Sequence, residues 1–448
     1  MLKTVGCRGA MRALNRSVSR TFARGMGGSA SDAERAHLSE KQKKLMKLED
    51  DFGAHNYHPL PVVLSKGKGV KVWDVDGKEY YDYLSAYSAV NQGHCHPKII
   101  AAMKEQAETL TLSSRAFHND VLGPYCEFVT KYFGYERVLP MNTGVEGGET
   151  ACKLARRWGY AVKGIPDNKA RILFAENNFW GRTLAAISSS TDPSSYAGFG
   201  PAMPNFDIVA YNDLAALEKK IAEHANEYCA FMVEPIQGEA GVMVPDAGYM
   251  KKAKEICQKY KVLLIADEVQ TGCGRTGRTL CVEWDNVKPD IVVLGKALSG
   301  GTYPVSAVLS SHEVILQVKP GEHGSTFGGN PLACKIAMAA LNVLKDENLV
   351  AKAEKNGELT RANLHNMKSP LVTTIRGKGL LNAIVIKPTQ IKGRTVTAWD
   401  VCLEMAKNGV LAKPTHDDII RLAPPLTSTE QDINNACEII HKTLKSFE

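Results

Sequence analysis

The chain has 448 residues, of which 44% are hydrophobic and 23% charged, with a formal net charge of +7. This length suits one large domain with a smaller companion, and no apolar run approaches the roughly 18 residues that a membrane span needs. The basic charge is concentrated in residues 1–31, so the nearly neutral remainder gives no argument for a nucleic-acid partner.

The first 31 residues form a basic leader that contains no Asp or Glu. Arginines recur every four residues from Arg8 to Arg24, among serines and the apolar residues Leu14, Val18 and Phe22. This pattern is typical of mitochondrial transit peptides, and the plain alternative is a disordered basic tail. We therefore predict a mitochondrial matrix location, with the cytoplasm as the alternative.

Residues 32–88 are predicted to form an N-terminal segment. It contains "VKVWDVDGKEYYDYLSAY", where two runs with strand character flank an Asp-Gly pair. Asp-Gly is a frequent turn sequence of β-hairpins, so we expect a hairpin here.

The middle of the chain alternates short apolar runs with longer helical patterns, for instance the helical segments that begin at 148 and 248. Several runs are apolar throughout, as strands buried on both faces are. This predicts an α/β fold with a large, mostly parallel sheet over 89–340 and a smaller C-terminal α/β domain over 341–448, in which "VTTIRGKGLLNAIVI" is a strand pair. The seven candidate strands of the sheet are 138–141, 171–175, 207–211, 230–234, 262–267, 290–294 and 305–309.

The eleven cysteines are scattered, without a C-x-x-C pair. They are expected to be reduced thiols. His94, Cys95 and His96 stand together, but no second ligand cluster at zinc spacing accompanies them, which argues against a metal site.

Two segments resemble nucleotide-binding motifs. "GCGRTG" at 272–277 matches G-x-G-x-x-G, yet only a short, weakly helical stretch follows it, so the dinucleotide interpretation lacks its crossover helix. "LGKAL" is not a Walker A loop, because Asp290 stands where the first glycine is required and Ala297 where Ser or Thr is required.

Three strand ends carry residues that suit one cofactor. The turn after 138–141 offers backbone N–H groups for a phosphate at Thr143, Gly144 and Val145. Asp267 ends the strand at 262–267, and Lys296 follows the strand at 290–294. A phosphate cradle, a carboxylate for a protonated ring nitrogen and a lysine for a Schiff base match the needs of pyridoxal phosphate. Lys296 and Asp267 are therefore the candidate catalytic residues.

Residues 53–445 resemble the ornithine aminotransferases, a group within the fold-type I, class III pyridoxal-phosphate transaminases. The resemblance rests on segments that occur in the family's order and spacing. For class III these segments are "NYHPLPV", "NFWGRT", "EPIQGEAGV", "IADEVQTG", "GKALSGG", "EHGSTFGGNP" and "RLAPPL". The segments "AHNYHPLP", "NFWGRT" and "LAKPTH" indicate the ornithine branch.

The resemblance implies further cofactor contacts. Phe179 would stack on the pyridine ring, and Gln270 would hydrogen-bond the ring hydroxyl. Ser325 and Thr326 would lie at the phosphate, with Thr326 reaching the cofactor of the other subunit. This implies a homodimer with composite active sites, and it leaves larger assemblies open.

The resemblance also implies substrate contacts. Arg182 would bind the α-carboxylate of ornithine, and Tyr57 its α-amine, with Tyr87 nearby. Arg421 would bind the α-carboxylate of 2-oxoglutarate. Glu239 would pair with Arg421 while ornithine is bound and release it for the second substrate.

The implied activity is transfer of the δ-amino group of ornithine to 2-oxoglutarate by ping-pong kinetics, giving glutamate 5-semialdehyde, which cyclises to pyrroline-5-carboxylate, and glutamate. The alternatives are another class III enzyme acting on N-acetylornithine, 4-aminobutyrate or lysine, and a non-catalytic cofactor-binding protein. Two residues depart from the family pattern: Gly147, where alanine is expected, and Phe327, where tyrosine is common.

Overall fold

The computed structural model describes residues 35–391 and 394–448, so the predicted leader lies outside the described residues. The described chain divides into two compact units. The first contains the chain up to Lys66 together with Trp73–Glu79, and the second contains Gly67–Val72 and Tyr80–Glu448. The predicted boundaries at 88/89 and 340/341 stay predictions.

The helices are numbered in chain order. They are α1 Glu40–Phe52, α2 Pro97–Thr109, α3 Leu122–Phe133, α4 Gly144–Trp158, α5 Leu184–Ser188, α6 Pro193–Tyr196, α7 Leu214–Glu223, α8 Tyr249–Lys259, α9 His312–Ile315, α10 Pro331–Asp346, α11 Leu349–Asn366, α12 Ala398–Asn408 and α13 Glu430–Lys445. A π-helical turn, Gly159–Lys163, extends α4, and 3₁₀ turns occur at Cys281–Asp285 and Lys296–Ser299. Within the described residues, no helix is long and apolar enough to cross a membrane.

The strands are numbered in the same way. They are β1 Leu64–Lys68, β2 Lys71–Asp74, β3 Glu79–Asp82, β4 Arg137–Met141, β5 Arg171–Ala175, β6 Phe206–Val209, β7 Tyr228–Val233, β8 Leu263–Asp267, β9 Ile291–Leu294, β10 Ser306–Ser310, β11 Val372–Lys378, β12 Leu381–Ile386, β13 Thr389–Ile391, β14 Arg394–Val396, β15 Val410–Leu411, β16 Lys413–Thr415 and β17 Ile419–Leu422.

Seven strands form the large sheet, in the order β4-β10-β9-β8-β7-β5-β6. β10 runs antiparallel to both of its neighbours, and the other adjacent pairs are parallel. The predicted mostly parallel seven-stranded sheet is therefore confirmed, and each predicted strand coincides with an observed one to within two residues. Because every strand of this sheet except β10 runs in the same direction, the carboxyl ends of β7, β8 and β9 meet at one edge.

The core explains why these strands are apolar throughout. Every residue of β7, β8 and β9 is buried. Helix α4 packs on one face of the sheet, where Ala151 and Ala155 join Ile265 and Val293 in one apolar cluster. Helix α4 begins at Gly144, four residues before the predicted segment, because the Thr143 side chain caps it.

A smaller C-terminal domain follows. Its antiparallel sheet has the order β11-β12-β17-β16, and β11 and β12 are the predicted strand pair. An apolar cluster joins Leu381, Ala383 and Ile419 of this sheet to Ile236 and Val242, which flank the turn after β7. The large sheet and the C-terminal sheet thus share packing beside that turn.

The turn between β2 and β3 is the predicted Asp-Gly turn. Asp74 Oδ1 accepts hydrogen bonds from the N–H groups of Asp76 and Lys78, at 3.0 and 2.9 Å. Gly77 has φ +87°, a backbone conformation that favours glycine.

Candidate active site

Lys296 and Asp267 lie at the carboxyl ends of neighbouring parallel strands, as predicted. Asp267 is the last residue of β8 and is paired in register with Val293 of β9. β9 ends at Leu294, and Gly295 separates it from Lys296. The lysine therefore enters the site from the same sheet edge as the carboxylate.

Lys296 is held in an unusual conformation with its amine available. Its φ of +44° lies in the left-handed region, which is strained for a residue with a Cβ. Within the described part of the chain, its Nζ has no acceptor at hydrogen-bonding distance. Burial lowers the pKa of Lys296, and Arg421 acts in the same direction, while Asp267, Glu239 and Glu234 oppose the shift. A lowered pKa increases the neutral, nucleophilic fraction of the amine.

Asp267 is a buried carboxylate, and within the described residues only its Oδ1 accepts a hydrogen bond. Its side chain is 5% exposed, and Oδ1 accepts a hydrogen bond from the Val269 N–H at 3.0 Å. Burial raises the pKa of Asp267 to about 6, opposed by the Val269 hydrogen bond and by Lys296. The group is thus ionised at pH 8, and its second oxygen can take the N–H of a protonated ring.

The start of α4 agrees only in part with the prediction that the backbone N–H groups of Thr143, Gly144 and Val145 are available to a phosphate. The Thr143 N–H donates to Glu146 Oε2 at 2.7 Å, and the Glu146 N–H donates to Thr143 Oγ1 at 3.3 Å. This capping box engages Thr143, so the prediction of a free N–H was wrong there. Gly144 and Val145 keep N–H groups without a partner among the described residues. A Cβ on Gly144 would lie 2.8 Å from Val269 Cγ1, so the close approach of these two segments requires glycine.

Ser325 lies beside this helix start within the same chain. Its Oγ accepts a hydrogen bond from Asn142 Nδ2 at 2.9 Å and another from the Gly328 N–H at 3.0 Å. Thr326, the next residue, is exposed. The loop therefore joins Ser325 to Asn142, two residues before the start of α4, and leaves Thr326 accessible.

Phe179 and Gln270, the two residues predicted to contact the cofactor ring, lie in the loops that follow β5 and β8. Phe179 is half-buried, whereas its neighbour Trp180 is buried and stacks on Phe174 with ring centroids 5.8 Å apart. The core aromatic of this segment is thus Trp180, and Phe179 stays free to contact a ligand. Gln270 is buried, and its amide occupies the space that a Cβ on Gly238 would need.

Glu234 belongs to the same site, although the sequence argument did not single it out. It follows β7 directly and is 6% exposed. Its carboxylate accepts hydrogen bonds from the N–H groups of Phe179 and Gly238. The rule that selected Asp267, an acid at the end of an apolar strand, also selects Glu234.

Arg421 and Glu239 form an ion pair, with Arg421 Nη1 2.9 Å from Glu239 Oε2. Arg421 is 3% exposed, and its Nε has no hydrogen-bond partner among the described residues. The guanidinium carbon lies 4.8 Å from the centre of the Tyr87 ring, within cation–π range. Because the side chain of Glu239 is 37% exposed, the acid can turn toward solvent while Arg421 stays buried.

Tyr87 lies on a strained turn. All four residues of Ser85–Ser88 have φ between +47° and +69°, although none is glycine. Asp82 Oδ1 accepts the N–H groups of Leu84 and Ser85, and Asp82 Oδ2 lies 2.7 Å from His94 Nε2. Such strain persists where surrounding contacts fix the backbone, which is common at ligand sites.

The remaining predicted substrate residues are less enclosed. Arg182 is exposed, and its guanidinium lies 5.7 Å from the Phe179 ring centre. Tyr57 belongs to the first compact unit, where it is 75% exposed. Their roles as ornithine contacts stay predictions.

The motifs that were set aside have other structural roles. Residues 35–391 and 394–448 contain no group of three or more His, Cys, Asp or Glu residues that could hold a metal, and the cysteines in these ranges are free thiols. Within "GCGRTG", Arg275 is fully buried and donates hydrogen bonds to Asn91 Oδ1 and to the carbonyl oxygens of Leu380 and Pro424. This segment therefore joins the large sheet domain to the C-terminal domain.

The donor set fits pyridoxal phosphate. Lys296 offers an available amine, Asp267 an open carboxylate oxygen, and Gly144 and Val145 N–H groups at a helix start. Phe179 offers an aromatic face. These residues, with Gln270 and Ser325, would hold the aldehyde, the ring and the phosphate.

The chain is similar to known aminotransferases. The mitochondrial ornithine aminotransferase of Rattus norvegicus is 62% identical over 403 residues, which is 90% of each chain. A solved ornithine aminotransferase of Toxoplasma gondii, with PLP at partial occupancy in its active site, is 47% identical with a TM-score of 0.88 and covers 93% of this chain and 97% of its own. The solved acetylornithine aminotransferase of Elizabethkingia anophelis is 52% identical with a TM-score of 0.82 and covers 91% of this chain and 99% of its own.

The family model described as "Aminotransferase class-III" matches residues 52–444, which is most of the chain. The chain belongs to the class-III aminotransferases, which use pyridoxal phosphate.

Proposed function

We propose that the chain is an L-ornithine δ-aminotransferase. It would transfer the δ-amino group of ornithine to 2-oxoglutarate and yield glutamate 5-semialdehyde, which cyclises to pyrroline-5-carboxylate, and glutamate. The ornithine aminotransferases that it resembles support the substrate, and the site supports the chemistry. The observation that carries the proposal is the ion pair between Glu239 and the buried Arg421.

This ion pair addresses a problem of substrate choice. An arginine beside the reacting amine binds the α-carboxylate of 2-oxoglutarate, but it would bind the α-carboxylate of ornithine equally well and present the wrong amine. Paired with Glu239, Arg421 is unavailable to the first substrate. A carboxylate that can turn toward solvent releases it for the second.

Pyridoxal phosphate, when bound, supplies an electron sink that stabilises negative charge at the substrate carbon bearing the amine. Lys296 holds the amine that binds the cofactor's aldehyde and then moves the proton at that carbon. Its lowered pKa suits both tasks, because a general base works best near the operating pH. Asp267 orients the ring by accepting its N–H, and Phe179 excludes water from the ring face.

The two half-reactions use opposite ends of the site. Ornithine places its α-carboxylate at Arg182 and its α-amine at Tyr57, so that the δ-amine reaches Lys296. 2-Oxoglutarate places its α-carboxylate at Arg421. There the Nε and one Nη of the guanidinium donate to the two carboxylate oxygens. Because the substrates bind in turn, the kinetics are ping-pong.

The active enzyme is proposed to be a homodimer with composite sites. Thr326 is exposed in one chain, as a residue that serves a neighbouring subunit would be. Phe117 and Phe327 are 75% and 48% exposed, and Gly329 lies close to Arg115, so two exposed aromatic residues lie on adjoining segments. Such exposed apolar groups favour an interface.

Mixing of subunits tests this assembly. A Lys296→Ala chain mixed with a Thr326→Ala chain should regain activity above that of either alone, because each mixed dimer holds one intact composite site. No gain on mixing would contradict composite sites.

The location is proposed to be the mitochondrial matrix, on the basis of the basic leader and of relatives named mitochondrial. Fusion of residues 1–31 to a fluorescent protein should direct it to mitochondria. A cytoplasmic signal would contradict the proposal.

N-acetylornithine is a second candidate substrate, because one solved relative is an acetylornithine aminotransferase. The two substrates differ at the α-amine, which is free only in ornithine. Tyr57→Phe should therefore reduce kcat/KM for ornithine more than for N-acetylornithine. Equal losses would remove the role assigned to Tyr57.

The decisive experiment adds L-ornithine, N-acetylornithine and 4-aminobutyrate separately to cofactor-loaded protein in the absence of a keto acid. The visible absorption of the bound cofactor is followed in each case. Rapid change with ornithine and little with the others is expected. Change with another amine while ornithine is inert would retain the aminotransferase and overturn the ornithine assignment.

A further inference from the structure

We propose that Glu234 is a positioning residue that fixes the ring-binding side of the cofactor site. The inference rests on the proposed function only in that Phe179 and Gln270 are taken to contact the cofactor. Glu234 touches neither the substrate nor the reacting atoms in this proposal. It acts through the backbone of two loops.

One carboxylate joins these loops. Glu234 Oε1 accepts the Phe179 N–H at 3.0 Å, and Glu234 Oε2 accepts the Gly238 N–H at 3.2 Å. Phe179 lies in the loop after β5, and Gly238 lies in the turn after β7. Both donors are backbone groups, so the carboxylate sets the position of the chain itself.

The contact at Gly238 reaches two other site residues. A Cβ at Gly238 would overlap the amide of Gln270, which shows how closely that side chain is packed on the turn. Glu239, the partner of Arg421, is the next residue. A shift of Gly238 would therefore move Gln270 and Glu239 together, and the same carboxylate positions Phe179.

Glu234 is an unusual group to bury for structural reasons alone. Within the described chain, no Lys or Arg lies at ion-pair distance from it. Burial and the neighbouring Asp267 raise the pKa of Glu234 to about 8, while the Phe179 and Gly238 N–H groups and Lys296 oppose the shift. A buried acid without a cationic partner destabilises a fold unless its hydrogen bonds compensate, and such groups concentrate at functional sites.

The test compares Glu234→Gln with Glu268→Gln. Glu268 is a matched control because it is also buried, at 1% exposure, and directly follows the neighbouring strand β8. Its carboxylate accepts hydrogen bonds from Thr271 Oγ1 and the Val282 N–H, and not from the loops that hold Phe179 and Gly238. In Glu234→Gln, the amide NH₂ faces one of the two N–H donors, so at least one hydrogen bond is lost. The dissociation constant of pyridoxal phosphate is measured on cofactor-free protein by quenching of tryptophan fluorescence, together with the visible circular dichroism of the bound cofactor and the melting temperature.

At pH 9, above the Glu234 pKa of about 8, the parent carries the carboxylate. Glu234→Gln should then weaken cofactor binding about tenfold, the effect of one hydrogen bond to a charged group, and should alter the circular dichroism of the cofactor. Glu268→Gln should lower the melting temperature and leave the dissociation constant within about twofold of the parent. Unchanged binding in Glu234→Gln, or the same pattern in both variants, would overturn the proposal.

If Glu234→Gln does not fold, Glu234→Asp replaces it, because Asp keeps both oxygens and withdraws them by one methylene. Binding equal to that of the parent in the Asp variant would likewise overturn the proposal. These measurements need no amine substrate. An enzyme inert toward ornithine would thus contradict the proposed function and leave the result for Glu234 standing.

Discussion

The proposed cofactor side and the proposed substrate side of the site are built in different ways. On the cofactor side, Asp267 and Lys296 extend directly from the buried, adjacent strands β8 and β9. On the substrate side, Glu239 and Arg421 are 182 positions apart in the sequence and belong to a turn of the large domain and a strand of the C-terminal domain.

The two sides differ in how freely their side chains can move. Residues at the ends of central strands are fixed by the core, which suits a cofactor that stays bound. The Glu239 side chain is partly exposed and can exchange its partner, which suits two substrates that bind in turn. Its backbone is nevertheless anchored, since Thr415 Oγ1 donates to the Glu239 carbonyl at 3.0 Å and Arg376 Nη2 donates to the Gly241 carbonyl at 2.8 Å. We therefore expect the acid to move by side-chain rotation.

The largest effect should come from the cofactor side. Lys296→Ala removes the group that we propose moves the proton, so kcat should fall by about 10³-fold or more. Lys163→Met is the matched control: burial also lowers the pKa of Lys163, to about 8, but its Nζ donates to three backbone carbonyls, those of Ala225, Tyr228 and Tyr260. The control should lose stability and keep its kcat. Turnover above about 1% in Lys296→Ala would contradict the role of the lysine.

The substrate side should respond unequally in the two half-reactions. Arg421→Met should reduce the rate with 2-oxoglutarate by about 10²- to 10³-fold, because truncating one partner of a buried charge pair costs a few kcal/mol. The ornithine half-reaction should change much less. Glu239→Gln should have the reverse signature, with 2-oxoglutarate favoured and selectivity for the δ-amine reduced. Rapid-mixing measurements of each half-reaction check this, and equal losses in both would show that Arg421 does not distinguish the substrates.

Asp267→Asn should stabilise the cofactor-free protein at pH 8 while it impairs catalysis. Burial raises the pKa of Asp267 from its ordinary 3.8 to about 6, so the folded state binds the proton more tightly than the unfolded state. The resulting destabilisation is absent below about pH 4, grows as the pH rises and is complete above about pH 6, where it amounts to about 3 kcal/mol. Asn removes this charge and retains an acceptor for Val269.

Urea unfolding of the cofactor-free protein at pH 4 and pH 8 measures this effect. The gain in unfolding free energy should appear at pH 8 and vanish at pH 4. Glu255→Gln, at an exposed position of α8, should change little at either pH. A gain that is independent of pH would mean that the charge of Asp267 is not its source.

The sequence predicts the cofactor side better than the substrate side for a physical reason. Apolar strands and the residues that end them are adjacent in the chain, so all seven strands and both Asp267 and Lys296 could be located from local pattern. The bond between Glu239 and Arg421 joins distant segments, and only the family resemblance anticipated it. The left-handed turn at Ser85–Ser88 contains no glycine that would have indicated it. The contacts of Glu234 with two loops depend on how distant segments pack, so the local sequence does not reveal them. The engaged Thr143 N–H does have a local signal, the Thr-x-x-Glu spacing of the capping box that Thr143 forms with Glu146.

At Gly147, local sequence and tertiary packing predict opposite effects of one substitution. On helix propensity alone, Gly147→Ala should stabilise α4 by about 1 kcal/mol. A Cβ at this position would, however, lie 2.8 Å from Cγ1 of Val293, a buried β-branched residue of β9. Because overpacking a core typically costs 1–3 kcal/mol, we expect a net destabilisation of about 1 kcal/mol, measured by urea unfolding. Combining it with Val293→Ala, which opens the space, should reduce the penalty of the added methyl. If the single variant Gly147→Ala instead stabilises the protein, Val293 must be able to move. The strand end before Lys296 would then be less rigid than we argue for the cofactor side of the site.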